Sequence, residues 1–197
     1  MRAVDQLSFY SAEARQPVVA DLAGMLCGPG QAVGFGRGTA ARLSVVVDAE
    51  WRARALVEAC AQRGVDAELG RSEEGHPLIR TAFRSDLTGL AAHWLRGAVK
   101  SVPGGYVPDG AALRIWALTA GSAEPAGYRL GLDPHAPDTH APLAAALTRC
   151  GLPVKPVGPR AGGPALRVTG RKRLTRLVEL VGPMPDGAIE RTWPLVS

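Results

Sequence analysis

Cysteine, lysine and aromatic side chains are all scarce in these 197 residues, and each shortage narrows what the chain can be. The three cysteines, Cys27, Cys60 and Cys150, sit in apolar, helix-like surroundings and lack the spacing of a disulfide framework. Buried thiols in a reduced, cytoplasmic setting are the expectation. Four Trp, three Tyr and three Phe are few, and none interleaves with basic strand positions, so a groove that stacks single-stranded bases is not expected. No run approaches the roughly 18 apolar residues of a membrane span. Met1-Arg2-Ala3-Val4-Asp5 has no apolar signal core, so no membrane partner is expected. With lysine scarce, arginine carries the basic balance: the formal charge is +5 and the sequence pI about 9.6. That admits an anionic partner without requiring one.

What is present is an order of elements that occurs twice. Pro17 opens a helix whose apolar residues Val18, Val19, Leu22, Met25 and Leu26 recur at helical spacing until Gly28-Pro29-Gly30 stops it. Strands at 31–36 and 41–47 form a hairpin around Gly36-Arg37-Gly38-Thr39. A helix over 48–62 closes at Gly64, a second hairpin occupies 65–69 and 77–84, and a helix runs over 86–98. Residues 99–108 read as a linker. The series then restarts: a helix over 109–120, a strand over 127–133 whose first partner is short or lost, a helix over 138–150, strands at 152–157 and 164–169, and a helix over 171–181. Residues 1–16 and 183–197 are terminal arms.

A shift of 87 positions aligns Gly64 with Gly151, Gly75 with Gly162, Pro77 with Pro164, Arg80 with Arg167 and Leu87 with Leu174. Upstream the offset becomes 85, pairing Asp48 with Asp133, and then 91, pairing Gly30 with Gly121. The expectation is an α+β fold built from a duplicated αββαββα unit, with halves 17–98 and 109–182. Two antiparallel sheets would form one saddle. The helices Leu22–Gly30 and Leu113–Gly121 would pair on the pseudo-two-fold axis, with Ala23, Gly24, Ala117 and Ala120 small enough for close approach.

Two such units, each opened by a nine-residue helix ending in glycine, resemble the LAGLIDADG fold of single-chain homing endonucleases. The nearest likeness is to the LAGLIDADG-like domain of the WhiA family of bacterial regulators. It is carried by Leu113 to Ser122, by Tyr128-Arg129-Leu130-Gly131-Leu132, by Leu147-Thr148-Arg149-Cys150-Gly151-Leu152-Pro153 and by Leu174 to Gly182. WhiA continues into a C-terminal helix-turn-helix domain, whereas this chain stops at Ser197, so the resemblance leaves nucleic-acid contact to the body or to a partner. Cleaving members of the family carry an acidic residue next to last in each motif, where it holds divalent metal. Pro29 and Ala120 stand at those positions, and Cys27 and Leu118 at the sixth. The resemblance therefore implies a protein without catalytic residues, cofactor or metal.

No other constellation replaces the missing acids. His135, Asp138 and His140 lie close in sequence, but their spacing is not a standard metal pattern and the prolines favour a loop and cap. Asp48 and Asp133 each follow a strand and precede a helix, which suits helix caps. His76 and His93 are isolated. Gly34-Phe35-Gly36-Arg37-Gly38 lies in a hairpin turn, not between a strand and a helix, so it is no phosphate loop.

What remains is a surface. If Leu43, Val45, Val47, Ile79, Thr81, Phe83, Tyr128 and Leu130 point under the helices, Arg42, Arg80, Arg129 and Arg167 point away. Arg37, Arg71, Arg84, Lys155 and Arg160 flank the hairpins, and Arg171-Lys172-Arg173 opens the last helix. The expectation is a basic face repeated about the two-fold axis, able to bridge phosphates of double-stranded DNA or of RNA. The leading function is non-catalytic, regulatory nucleic-acid binding by a monomer. The alternative is a protein–protein interaction or scaffolding module. An enzyme using His135 and His140 ranks third.

Overall fold

The computed structural model describes residues 11–158, 160, 162–189 and 192–195. A 3₁₀ turn at Val19–Leu22 runs into the short helix α1 (Ala23–Cys27). Gly28-Pro29-Gly30 ends it, with the Gly30 amide turning back to the Met25 carbonyl at 3.0 Å. There follow β1 (Gln31–Phe35), β2 (Ala40–Val46), α2 (Glu50–Ala61), β3 (Ala67–Arg71), β4 (Pro77–Thr81) and α3 (Thr88–Trp94), then a small hairpin of β5 (Leu95–Arg96) and β6 (Val99–Lys100). The second pass is α4 (Gly110–Ala120), β7 (Gly121–Glu124), β8 (Gly127–Gly131), α5 (His140–Arg149), β9 (Lys155–Val157), β10 (Ala165–Thr169) and α6 (Arg171–Val181).

The two passes build the same sheet. One has the strand order β1-β2-β4-β3 and the other β7-β8-β10-β9, and every pairing is antiparallel. Even the register repeats. Ser44 faces Arg80 and Val45 faces Ile79 in one sheet; Arg129 faces Arg167 and Leu130 faces Leu166 in the other. The helix-ending glycines Gly64 and Gly151 both take positive φ, a conformation a side chain would strain. Alternation buries one face of each sheet: Leu43, Val45 and Ile79 in the first, Tyr128, Leu130, Leu166 and Val168 in the second.

The halves meet where α1 packs on α4. Leu22, Met25, Leu26, Leu113, Ile115 and Trp116 are buried there, each large side chain contributing about 1.5–3 kcal/mol of transfer free energy. The backbones come very close. A Cβ placed on Gly24 would lie 2.2 Å from the Ala112 carbonyl oxygen and 2.9 Å from the Trp116 nitrogen. One on Gly28 would meet Thr119 Cγ2 at 3.1 Å and the Trp116 ring at 3.4 Å. Ala23 and Ala117 are buried, and Ala120 sits at the seam's end against Gly28 and Gly131. Asp109 caps α4 by accepting the Ala112 amide at 2.9 Å.

Several local expectations change. The strand thought lost after α4 is β7, which begins at the residue where the helix stops. The helix expected to reach Ala98 ends at Trp94, because the chain turns into the β5–β6 hairpin, which delivers the Lys100 side chain inward. Asp48 and Asp133 do not cap helices. Ala49 occupies the N-cap of α2 and Thr139 that of α5, neither with a side-chain capping bond. The flanking segments are held against the body: the Ala12 amide donates to the Leu180 carbonyl, Arg15 bridges Asp21 and Asp109, and Trp193 is buried with its indole N–H on the Gly182 carbonyl.

Candidate nucleic-acid interface

The face of each sheet turned away from the helices is built by the residues that alternation leaves over. Register sets them in rows. In the first sheet the central row reads Gln31, Ser44, Arg80, Glu68. The equivalent row in the second reads Ser122, Arg129, Arg167, Lys155. Duplication has therefore kept one cation, Arg80 or Arg167, at the same lattice point of both sheets. Around it the charges diverge: one cation and one carboxylate in the first row, three cations in the second.

The cations also differ in availability. Glu124 takes Arg167, with Nε at 2.5 Å, and lies 3.6 Å from the Nε of Arg129. Arg129 further donates to the Gly163 carbonyl at 2.9 Å. Arg80 and Lys155 are exposed and form no ion pair among the described residues. Arg37 is exposed in the β1–β2 turn, and Arg160 is exposed before β10. Arg71 is committed to Glu50 at 2.6 Å and to the Gly75 carbonyl at 3.0 Å.

Two positions differ from strict alternation for one reason. Regular pairing of β2 with β4 would set Ala41 opposite Phe83, but Ala41 exchanges both backbone hydrogen bonds with Arg84, at 2.9 and 2.8 Å. One extra residue on the β4 side is a β-bulge, and it reverses the alternation beyond it. Arg84 turns toward the helices, donating to the Gly64 carbonyl at 2.9 Å and pairing with Asp86 at 2.7 Å. Its guanidinium beside Asp86 holds that carboxyl below its usual range. Phe83, expected inside, faces outward instead. Its ring centroid lies 5.2 Å from that of Phe35, and the half-buried Arg42 guanidinium stands 4.7 Å over it.

At the ends of the paired helices the chemistry is inverted. Pro29 and Ala120 offer no carboxylate. Instead two buried cations take the helix-end carbonyls, where the helix dipole favours positive charge. Arg52 of α2 donates to Ala117 at 2.9 Å, to Leu118 at 3.0 Å and to Gly121, while its Nε pairs with Asp48 at 2.8 Å. Lys100 donates to the Gly28 carbonyl at 2.9 Å and pairs with Asp133 at 2.7 Å. Gln31 adds a bond to the same Asp133 oxygen at 2.6 Å. Burial pulls the Lys100 ammonium below its ordinary value, with Asp133 opposing that pull. Burial pushes the Asp133 carboxyl up, but donors from Lys100, the His135 amide and Gln31 prevail and hold it below the usual range.

The remaining candidates do not assemble. The His140 ring nitrogen lies 2.7 Å from the Asp133 carbonyl, the His135 amide donates to the Asp133 carboxylate, and Asp138 is exposed in a 3₁₀ turn. Among the described residues no group of three or more His, Cys, Asp or Glu could hold a metal ion. Cys27 is buried with its thiol pushed up to about 12, and burial raises Cys60 to about 11. Neither is a nucleophile at neutral pH. Among the described residues no helix is long and apolar enough to cross a membrane.

Comparison with known proteins places this geometry. No family model and no curated protein matches the sequence. Solved structures do. The homing endonuclease I-WcaI, solved bound to its DNA recognition sequence, superposes with a TM-score of 0.57 at 12% identity, over 82% of this chain and 79% of that one. The N-terminal LAGLIDADG domain of DUF199/WhiA gives 0.55 at 16% identity, over 91% and 88%. Full-length DUF199/WhiA from Thermatoga maritima gives 0.59 at 15% identity, and this chain spans 58% of it. The fold is the LAGLIDADG fold.

Proposed function

We propose that this LAGLIDADG-fold chain is a non-catalytic, regulatory nucleic-acid-binding protein. It holds double-stranded DNA on the free faces of its two sheets, and it works as a single chain whose halves stand where two subunits of a dimer would. The observation that carries the reading is the pair of exposed cations Arg80 and Lys155, set in equivalent register rows of the two sheets, with Arg167 and Arg129 completing the second row although Glu124 engages both. Cations at fixed spacing on a solvent-facing sheet suit phosphates, which position a duplex without reading its sequence. I-WcaI, of the same fold, was solved with DNA bound, which favours DNA over other polyanions.

The non-catalytic part of the reading rests on the helix ends. Metal-assisted cleavage needs oxygen ligands there. Pro29 and Ala120 provide none, and the buried Arg52 and Lys100 already satisfy the carbonyls with positive charge. A divalent cation beside them would meet repulsion.

The test is duplex binding measured across a salt series. Binding should weaken steeply as salt rises, and Arg80→Glu with Lys155→Glu should reduce affinity at least about tenfold and flatten the salt slope. Both residues are exposed and free of ion pairs among the described residues, so the fold should tolerate the change. Undiminished binding by that double variant would remove the sheet faces from the interface. Duplex RNA of the same length serves as the comparison ligand, and Mg²⁺ should leave the DNA uncut.

A further inference from the structure

The first sheet carries a feature that the second lacks and that phosphate binding does not use. Phe35, at the end of β1, and Phe83, turned outward by the bulge, lie side by side on the free face. They are 64% and 40% exposed. At the duplicated positions the second half has Ala126, by the offset of 91, and Gly170, by the offset of 87. Val33 and Val46 on the same face are also exposed. An aromatic pair left in water on a sheet costs solubility, and here the chain departs from its register to present one of the two rings.

No aromatic interleaves with basic strand positions along the sequence, which argues against base stacking; the bulge brings Phe83 beside Arg42 and Phe35, and these surroundings say what the pair suits. Arg42 lies over the Phe83 ring, and its Nε is sequestered from solvent without a hydrogen-bond partner. No ion pair engages Arg42, Arg37 in the adjoining turn or Arg80 in the neighbouring strand among the described residues. Arg42 covers one face of Phe83, and the more exposed Phe35 offers its ring beside it. An open aromatic ring near guanidinium groups without ion pairs matches a nucleobase with its phosphate: the ring stacks and the cation takes the charge. A protein partner for a plain apolar patch would not need the cations, and a fully paired duplex offers its bases edge-on and already stacked.

We propose that the Phe35–Phe83 face stacks unpaired bases, so that the preferred ligand is a duplex with a single-stranded extension. The cations of the two sheet faces, Arg80 and Lys155 foremost, hold the paired part, and the aromatic pair at the β1 end of the first sheet holds the unpaired part. This rests on the nucleic-acid reading above and adds the form of the ligand to it.

The experiment compares a blunt duplex of about 20 base pairs with the same duplex bearing an unpaired extension of about four nucleotides, by fluorescence anisotropy at fixed salt. The extension should tighten binding by the wild-type protein about tenfold or more. Phe35→Leu with Phe83→Leu keeps apolar surface but removes the flat ring faces. It should bind blunt duplex as the wild type does and lose the gain, while Phe35→Tyr with Phe83→Tyr should retain it. Equal affinity for both ligands in the wild type overturns the proposal and leaves duplex binding standing. So does a gain that persists in the leucine variant, which would assign the face to apolar docking. Failure to bind either ligand overturns both readings at once.

Discussion

Lys100 illustrates how a single residue can be invisible in sequence and central in space. It lies at the start of what reads as a linker, yet its ammonium is buried against Asp133 and the Gly28 carbonyl. A buried ion pair is costly to break from one side, because the remaining charge is left without a partner. Lys100→Ala should therefore destabilise the fold by about 3–5 kcal/mol in denaturant unfolding, whereas Lys100→Met combined with Asp133→Leu should cost far less. If the single and double variants unfold alike, the pair is not acting as a unit. Arg52 is the parallel case on the other helix: a charged residue in an amphipathic helix reads as surface, and only the closeness of α2 to the end of α4 turns it inward. Asp133 matched Asp48 across the internal repeat and both read as helix caps, but Asp48 is exposed and paired with Arg52 while Asp133 is buried against Lys100, so the repeat carried position without carrying role.

Among the elements, the α1–α4 seam was the most legible, because small residues in an apolar helix have few other uses. Of the four expected small positions, Gly24 meets α4 directly, Ala120 lies against Gly28, and Ala23 and Ala117 are buried; the closest approaches belong to Gly24 and Gly28. Gly24→Ala is the sharpest probe. Its methyl group would meet backbone atoms of α4 at 2.2 and 2.9 Å, and backbone cannot rotate away as a side chain can. The helices would have to part, at a cost of about 1–3 kcal/mol or more, seen as a lowered melting temperature. Ala23→Gly, which adds no atoms, is the matched control and should lose only about a kcal/mol of helix propensity. The strand edges were less legible. Alternation placed Leu43, Val45, Ile79 and Leu130 correctly, since a buried face enforces the period of two, but it failed at Phe83 and Arg84. A bulge leaves no mark in hydropathy; it shows only as a change of backbone partner.

At the scale of the molecule, duplication was legible because it constrains many residues at once: the strand orders, the register and the turn glycines all repeat. What the repeat could not convey is divergence. The halves share Arg80 and Arg167 but otherwise carry different surfaces, aromatic on one side and cationic on the other. Terminal segments add to the imbalance. Ala12, Thr192 and Trp193 all fasten to the second half, through Leu180, Tyr128 and Gly182.

The junctions between the seam and the two sheets differ in construction. β7 continues from α4 without an intervening residue, so the second sheet is joined to the axis directly. β1 is reached through Gly28-Pro29-Gly30, a short coupling with no helical or strand hydrogen-bond ladder of its own. Torque on the molecule should therefore be absorbed on the first side, which can tilt while the second keeps its aim. β1 and β7 are both outer strands of their sheets, so their amides are comparable. Hydrogen exchange should be faster at Gln31–Val33 than at Ser122–Glu124, and the difference should shrink when Pro29→Ala restores an amide and lets α1 extend. Equal exchange rates in the wild type would mean that the two couplings are equally rigid.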